Sequence, residues 1–302
     1  MYPLVQAFLD YMLAQRGCSP RTHETYRIAL TDCADHFTAT QPGITWEKVE
    51  TPLVRHWVAS MMERGYAPNT VNKSLSALRS FYKYLLREEK VAVDPARLVK
   101  NPKAPKRLPT FIKESEMDRL FEHYPFSEDY IGLRNRTLLL LLYHTGIRAA
   151  ELLALNVRDV DLKSSQLRVT GKGNKQRIVP FGEELNAALE VYIAERNAHF
   201  ATSNHDATAL FLNPRGTRMR YDTLRTTVRD TLSAVTTQKK KSPHVLRHSF
   251  ATAMLSHGAQ LEAIQQLLGH ESVATTAIYT HTTLAELQAQ YAQAHPRGED
   301  KE

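Results

Sequence analysis

Apolar residues recur at three- and four-residue intervals through most of this chain, the spacing of helices that bury one face. Leu4, Val5, Phe8, Leu9, Met12 and Leu13 predict a first helix over 2–16, ended by Gly17. Ser19-Pro20 supplies a cap and a proline at the first helical position for a second helix reaching Phe37. A third helix is expected over 49–65. A fourth, over 69–89, carries its core stripe on Val71, Leu75, Leu78, Tyr82 and Leu85. Pro95, Pro102, Pro105 and Pro109 then block helix and predict an extended linker over 93–109, with a reach of ~40 Å at ~3 Å per residue. Helices resume over 113–124, 132–144 and 149–155, with a break at Gly146.

The period then changes. A short strand over 160–162 precedes two alternating segments, 166–170 and 176–180, joined by Gly171-Lys172-Gly173-Asn174 as a hairpin turn. Helices return from 183 to the end, apart from a turn-rich stretch over 204–221. The pattern predicts a mainly α protein with a small antiparallel β-sheet. It divides into a four-helix domain over 1–92, a linker over 93–109 and a second domain over 110–302. The 302-residue length suits two domains of roughly 100–200 residues each. The strongest apolar run, Leu138 to Leu142, lies in a short amphipathic stretch far below the ~20 residues of a spanning helix. The N-terminus lacks the basic and long apolar regions of a signal peptide, and Cys18 and Cys33 are the only cysteines. A reducing cytoplasm is expected, with no membrane association.

Charge sharpens this picture. The net charge of +7 is modest, but residues 1–107 hold 16 basic and 10 acidic side chains, and the remainder is close to balanced. On the fourth helix Asn72, Ser76, Ser80, Lys83 and Arg87 share one face, edged by Lys73 and Arg79, with no acid before Glu88. Lys103, Lys106 and Arg107 add to the linker. Such a face suits a DNA groove, with cations on phosphates and Asn or Ser near bases; a solvent-exposed face is the alternative.

The second domain holds the candidate chemistry. Arg148 follows a leucine-rich helix in a setting expected to be half-buried, and Glu151, three residues on, is a candidate partner. Ser242 and Pro243 open a helix on which His244 and Arg247 share a face near the N-terminus, where phosphate is favoured. His244 and His248 have zinc-ligand spacing, but no cysteine lies in this half, and the stretch His270 to Ala274 has alanine where a zinc-protease helix needs its second histidine, so no metal site is expected. Taken singly, His270 after Gly269, Tyr279 beside Ile278 and Lys172 in its turn read as structural.

Together, Arg148, Lys172, His244, Arg247, His270 and Tyr279, in the strings 144–155, 171–180, 242–255 and 267–281, resemble the tyrosine recombinases. Over roughly residues 1–295 the chain resembles their Xer branch. Ala150, Ala253 and Ala274 depart from residues frequent in that family; none of the three is a catalytic position. The resemblance implies a two-domain DNA clamp, with an N-terminal core-binding domain of the SAM-like kind and a C-terminal catalytic domain. It implies strand exchange through a 3′-phosphotyrosyl intermediate and a Holliday junction, without cofactor, metal or ATP. Tyr279 would be the nucleophile, Arg148, Arg247 and His270 would hold the phosphate, and His244 would take the tyrosine proton or hold the phosphate. Lys172 would be the general acid, with Glu151 orienting Arg148 or His244.

The implied partners are double-stranded DNA with an inverted-repeat site and a cyclic tetramer on two duplexes, formed with itself or a sister Xer recombinase. A septal DNA translocase is the implied activator, at the nucleoid in the cytoplasm. The terminal helix from Leu284, with Leu287 and Tyr291 on one stripe, could pack on its own domain, but the resemblance implies that it docks on a neighbouring protomer, ahead of a polar end over 297–302. The implied role is resolution of chromosome dimers; a mobile-element integrase and a type IB topoisomerase-like enzyme are the alternatives.

Overall fold

The computed structural model describes residues 1–105, 110–269 and 284–297. The chain divides into two compact units, Met1–Arg107 and Leu108–Glu302. Four helices build the first: α1 (Tyr2–Ala14), α2 (Pro20–Thr40), α3 (Thr51–Glu63) and α4 (Pro68–Arg87). Each carries a proline in its first two positions, where the missing amide hydrogen costs nothing. Ser19 adds the expected cap, its hydroxyl accepting the Thr22 amide at 3.2 Å. The α4 stripe of Val71, Leu75, Leu78, Phe81, Tyr82 and Leu85 is buried against Phe8, Phe37, Trp46 and Trp57. Trp46 meets Phe81 edge-to-face at 4.8 Å, a geometry that adds about 0.5–1.5 kcal/mol to the area buried.

The first half of the expected linker is not an extended tether. Pro95 to Leu98 form a turn, and Ala96 and Val99 are buried in the first unit's core. Arg79 on α4 holds that segment by its backbone, donating Nε to Ala96 O at 3.1 Å, Nη1 to Asn101 Oδ1 at 2.9 Å and Nη2 to Val99 O. Asn72 donates to Pro102 O at 3.0 Å and Thr51 to Pro95 O at 3.0 Å. The prolines do prevent helix, but α4 supplies the side-chain donors that a free extended chain would take from water.

The second unit opens with α5 (Glu114–His123), α6 (Tyr130–Thr145) and the short α7 (Ala149–Ala154). Asp129 caps α6 through the Gly132 amide at 2.8 Å, so this helix starts two residues earlier than expected. It is not amphipathic over its second half: Thr137 to Thr145 are all buried, as befits a helix enclosed on every side. Next come β1 (Val160–Asp161), β2 (Gln166–Thr170) and β3 (Gln176–Pro180), an antiparallel sheet in the order β1-β2-β3. The β2–β3 register pairs Val169 with Arg177 and Thr170 with Gln176. The remaining helices are α8 (Glu183–His199), α9 (Tyr221–Ser233), α10 (Pro243–Ser256), α11 (Leu261–Leu268) and α12 (Leu284–Ala294). Among the described residues, no helix is long and apolar enough to cross a membrane.

The terminal helix lies on its own unit, against α10, α11 and β3. Tyr291 and Ala294 are buried there and Leu287 packs against the same core. The Tyr291 hydroxyl is 3.2 Å from His144 Nδ1, and the His295 and His144 rings lie 4.7 Å apart. Arg297 is no loose tail residue either. It pairs with both Glu184 oxygens at 2.7 and 2.8 Å, and with Asp118 and Glu122 at 3.3 Å each.

This seat titrates. Burial, reinforced by His144, holds His295 well below the usual histidine range. Burial also lowers His144, against the pull of Glu184. Both folded-state values lie below that of the unfolded chain, so below pH ~6.5 the unfolded state takes up protons that the folded state resists. Their contribution to stability is therefore whole above that pH and is lost as pH falls. Glu184 accepts from Arg297 on both oxygens and lies 3.3 Å from His144 Nε2; these neighbours outweigh its burial and hold it at about 2, so it stays ionised in this window. Thermal melts are expected to hold level from pH 8 to about pH 6.5 and to fall from there to pH 5. His295→Phe, which keeps the stacking on Tyr291 and removes one titrating ring, should fall less steeply; an unchanged slope would contradict the assignment.

Candidate active site

The site begins at the N-terminus of α7. Arg148 occupies the position just before the helix, and Glu151 reaches back to accept the Arg148 amide on Oε2 at 2.9 Å. Glu151 Oε1 also accepts Arg148 Nη1 at 2.8 Å. A second arginine, Arg177 on β3, forks onto the same carboxylate through Nη1 at 3.1 Å and Nη2 at 2.8 Å. Four donors fill the four lone-pair directions of a carboxylate. Of the two residues Glu151 was expected to orient, it serves Arg148, with no free lone pair for His244. Burial disfavours its charged form, but hydrogen bonds from Arg177 and Arg148 outweigh that, and its pKa is lowered.

Three arginines converge on the end of α11. Arg177 Nε donates to Leu267 O at 2.8 Å, Arg247 Nη2 to Leu268 O at 2.8 Å and Arg148 Nη2 to Gly269 O at 3.0 Å. The last carbonyls of a helix lack intrahelical partners and carry its negative dipole end, which is why cations gather there. Gly269 closes α11 in the left-handed region at φ 64°. Three guanidinium groups against one carboxylate leave this corner with a surplus of two positive charges, matched to an anion that presents several oxygens.

Arg247 and Arg148 differ in setting. Arg247 is 6% exposed and pairs with no carboxylate among the described residues; its Nη1 donates to Gly146 O at 2.8 Å. Burial, with Arg148 adding repulsion, pushes its pKa down to about 10. The Arg148 side chain is 43% exposed, more open than the half-buried setting expected of it. Gly146, the left-handed cap of α6 at φ 59°, is required by shape: a Cβ there would sit 2.4 Å from Phe250 Cδ1 and 2.8 Å from Leu268 Cδ2. Gly146→Ala is expected to cost about 2–4 kcal/mol from left-handed strain and overpacking, and to displace the carbonyl that aims Arg247. Denaturant melts and cleavage kinetics should fall together; a loss below about 1 kcal/mol would contradict this packing.

The hairpin turn abuts the same corner. Gly173 and Asn174 both take positive φ, and the Gly171 amide donates to Lys175 O at 2.8 Å. A Cβ on Gly171 would lie 3.5 Å from Glu151 Oε1 and 3.7 Å from Arg177 Nη1. The backbone of Lys172 is thus next to the arginine corner; its side chain lies outside the described residues, as do His270 and Tyr279. His244 is exposed on the first turn of α10, three residues before Arg247, with its ring 4.4 Å from that of His248. Pro243 occupies the first helical position, but Ser242 makes no side-chain cap. No group of three metal-ligating side chains occurs among the described residues.

On α4, Lys73 and Lys83 are exposed. Ser76 and Ser80 donate back to Asn72 O and Ser76 O along the helix at 2.9 and 3.0 Å. Arg79 and Asn72 are spent on residues 96–102, as described above. Arg87 pairs with Glu88 at 2.8 Å and lies over the Tyr11 ring at 4.2 Å. Lys103 lies within the first unit, and Lys106 and Arg107 lie outside the described residues. Sequence reasoning missed Arg177, although an arginine sharing the strand face of buried Val179 was a readable signal. It also passed over Lys239, Lys240 and Lys241, which run directly into α10.

Residues 110–286 match the phage integrase family, and residues 5–89 match the phage integrase N-terminal SAM-like domain. The tyrosine recombinase XerC of Pelotomaculum thermopropionicum is 37% identical over 304 residues, covering 98% of this chain and 99% of the relative. The tyrosine recombinase XerD of Pseudomonas putida is 37% identical over 297 residues, covering 98% of each. Among solved structures, the XerH site-specific recombinase bound to a palindromic difH substrate, a post-cleavage complex, has the same fold. Its TM-score is 0.72 at 23% identity, covering 91% of this chain and 80% of that one.

Proposed function

Because the chain belongs to the phage integrase family and is an Xer-type tyrosine recombinase, an enzyme that cleaves and rejoins DNA, we propose that it resolves chromosome dimers at a dif-like site during chromosome segregation at cell division. The observation that carries this reading is the near end-to-end match to relatives named XerC and XerD, at the same identity to each. The DNA is a duplex with inverted-repeat half-sites, in line with the palindromic difH substrate on which XerH was solved. Lys73, Lys83, Lys103, Lys106 and Arg107 contact phosphates, with Ser76 and Ser80 facing the groove.

In the reaction, the Tyr279 oxygen attacks the scissile phosphorus and the bond to the 5′-oxygen breaks. This leaves a 3′-phosphotyrosyl link and a 5′-hydroxyl. Arg148 and Arg247 turn from the α11 and Gly146 carbonyls to the non-bridging oxygens, where charge gathers in the transition state, and His270 adds a third donor. His244 takes the tyrosine proton or holds the phosphate, and Lys172 protonates the departing 5′-oxygen. The phosphotyrosyl bond conserves the diester's free energy, so rejoining to a partner strand through a Holliday junction needs no ATP. Four protomers, of this chain alone or with a sister Xer recombinase, form a ring on two duplexes, with α12 leaving its own unit for a neighbour. A septal DNA translocase is the activating partner.

A supercoiled plasmid with two directly repeated dif-like sites tests the proposal. Resolution into two circles, dependent on both sites, is the expected result. Relaxation without resolution would instead mark a topoisomerase-like enzyme. Recombination confined to a non-identical attachment pair would mark a mobile-element integrase.

A further inference from the structure

We propose that Arg177 is a positioning residue for leaving-group protonation: it fixes the turn that carries Lys172 against the arginine corner. The proposal rests on the reading of Lys172 as general acid. Three observations carry it. Arg177 stands on β3 one residue beyond Gln176, which pairs with Thr170 at the mouth of the hairpin. Its guanidinium spans two other elements, forking onto both Glu151 oxygens and donating Nε to Leu267 O. The Gly171 end of the turn rests on this same pair, so close that a Cβ there would touch Glu151 Oε1 and Arg177 Nη1.

The three α11 carbonyls separate the arginines by task. Arg148 and Arg247 are held at Gly269 and Leu268 by single bonds that a phosphate oxygen can replace. Arg177 is largely buried, with a side chain 16% exposed, and its carboxylate fork leaves it no such freedom. It also fills the space beside Gly269, where a Cβ would meet Nη1 at 2.9 Å. When the other two turn toward DNA, Arg177 is the link that still ties β3, α7 and the end of α11 together. A general acid on a turn is only as well placed as the strand ends that hold the turn. Without Arg177, the turn keeps its ladder bonds to β2 but loses its register against the scissile phosphate.

The test uses two nicked suicide duplexes that differ in one atom. One has the ordinary 5′-oxygen leaving group. The other has a bridging 5′-sulfur, which departs as a thiolate and needs no proton. Arg177→Gln is expected to cleave the oxygen substrate about 10²-fold more slowly than wild type, the scale of a misplaced catalytic group, and the sulfur substrate within a few fold of wild type. Arg177→Lys keeps the charge but reaches Glu151 or Leu267 O, not both; it should show the same sulfur-selective recovery from a smaller loss, and it carries the test should the glutamine variant fail to fold. Equal slowing of both substrates, or no slowing of either, overturns the proposal. Lys172→Ala, run alongside, distinguishes the failures. Sulfur rescue of Lys172→Ala without rescue of the Arg177 variants overturns the positioning role alone. No rescue of Lys172→Ala overturns the general-acid reading and this proposal with it.

Discussion

Arg247→Lys is expected to slow covalent cleavage of a nicked suicide duplex about 10²- to 10³-fold, the scale of losing a preorganised oxyanion donor, while duplex affinity changes little. Two causes act together. Arg247 aims two nitrogens in one plane, at Gly146 O and Leu268 O, and a lysine ammonium cannot span both directions. The pocket also resists charge: burial has already pushed the arginine down to about 10. Acting on a lysine, whose ordinary pKa is ~10.4, the same burial brings the ammonium near the working pH. The loss should therefore be partly recovered at lower pH. Arg148→Lys should also lose most cleavage with binding intact, but without that recovery, because its side chain is 43% exposed. Wild-type cleavage by Arg247→Lys, in single-turnover assays beside a gel-shift titration, would remove this arginine from the transition state.

Tyr279→Phe is expected to abolish the covalent protein–DNA band altogether while leaving duplex binding unchanged. The substitution deletes one oxygen, the atom proposed to form the new bond to phosphorus, and no partial substitute for a covalent nucleophile would remain. Tyr291, twelve residues on, provides the control. It is 2% exposed, its hydroxyl faces His144 at 3.2 Å, and burial drives its pKa far up. A phenol so enclosed cannot attack a phosphate, so Tyr291→Phe should still trap DNA while weakening the seat of α12. Trapping by Tyr279→Phe, seen on a denaturing gel, would mean another group attacks.

What the sequence revealed follows from the range of the interactions involved. The α4 stripe and the hairpin were legible because their patterns are local: Val71, Leu75 and Leu78 repeat within one helix, and 171–174 is a turn by its own glycines. Gly146 and Gly269 were legible as helix ends for the same reason, both taking left-handed caps. Arg79 was read as a DNA-facing cation because composition shows a charge but not what lies over it; its partners are two backbone carbonyls, of Ala96 and Val99, and the side-chain oxygen of Asn101, 17 to 22 residues away. The same blindness left the start of the 93–109 linker as extended chain and Arg297 as the first residue of a polar end, when Ala96 and Val99 pack into the core and Arg297 is held by Glu184, Asp118 and Glu122.

At the site, Arg148 and Arg247 were identifiable one by one, but Arg177 and the anchor that all three share were not. Leu267, Leu268 and Gly269 act through backbone oxygens, which no residue type announces. Arg177 acts through a carboxylate 26 residues back in the chain. The charge excess of residues 1–107 has three exposed cations on the α4 face, Lys73, Lys83 and Arg87, the last paired with Glu88 at the surface, while Arg79 is tied to residues 96–101.

The central claim is that this corner of arginines serves a tyrosine that becomes joined to DNA. The direct measurement is mass spectrometry of the adduct trapped on a suicide duplex, digested with protease and nuclease. A single modified peptide is expected, carrying a nucleotide joined through its 3′-phosphate to Tyr279. A nucleotide on any other residue, or a 5′-phosphate linkage, would contradict it.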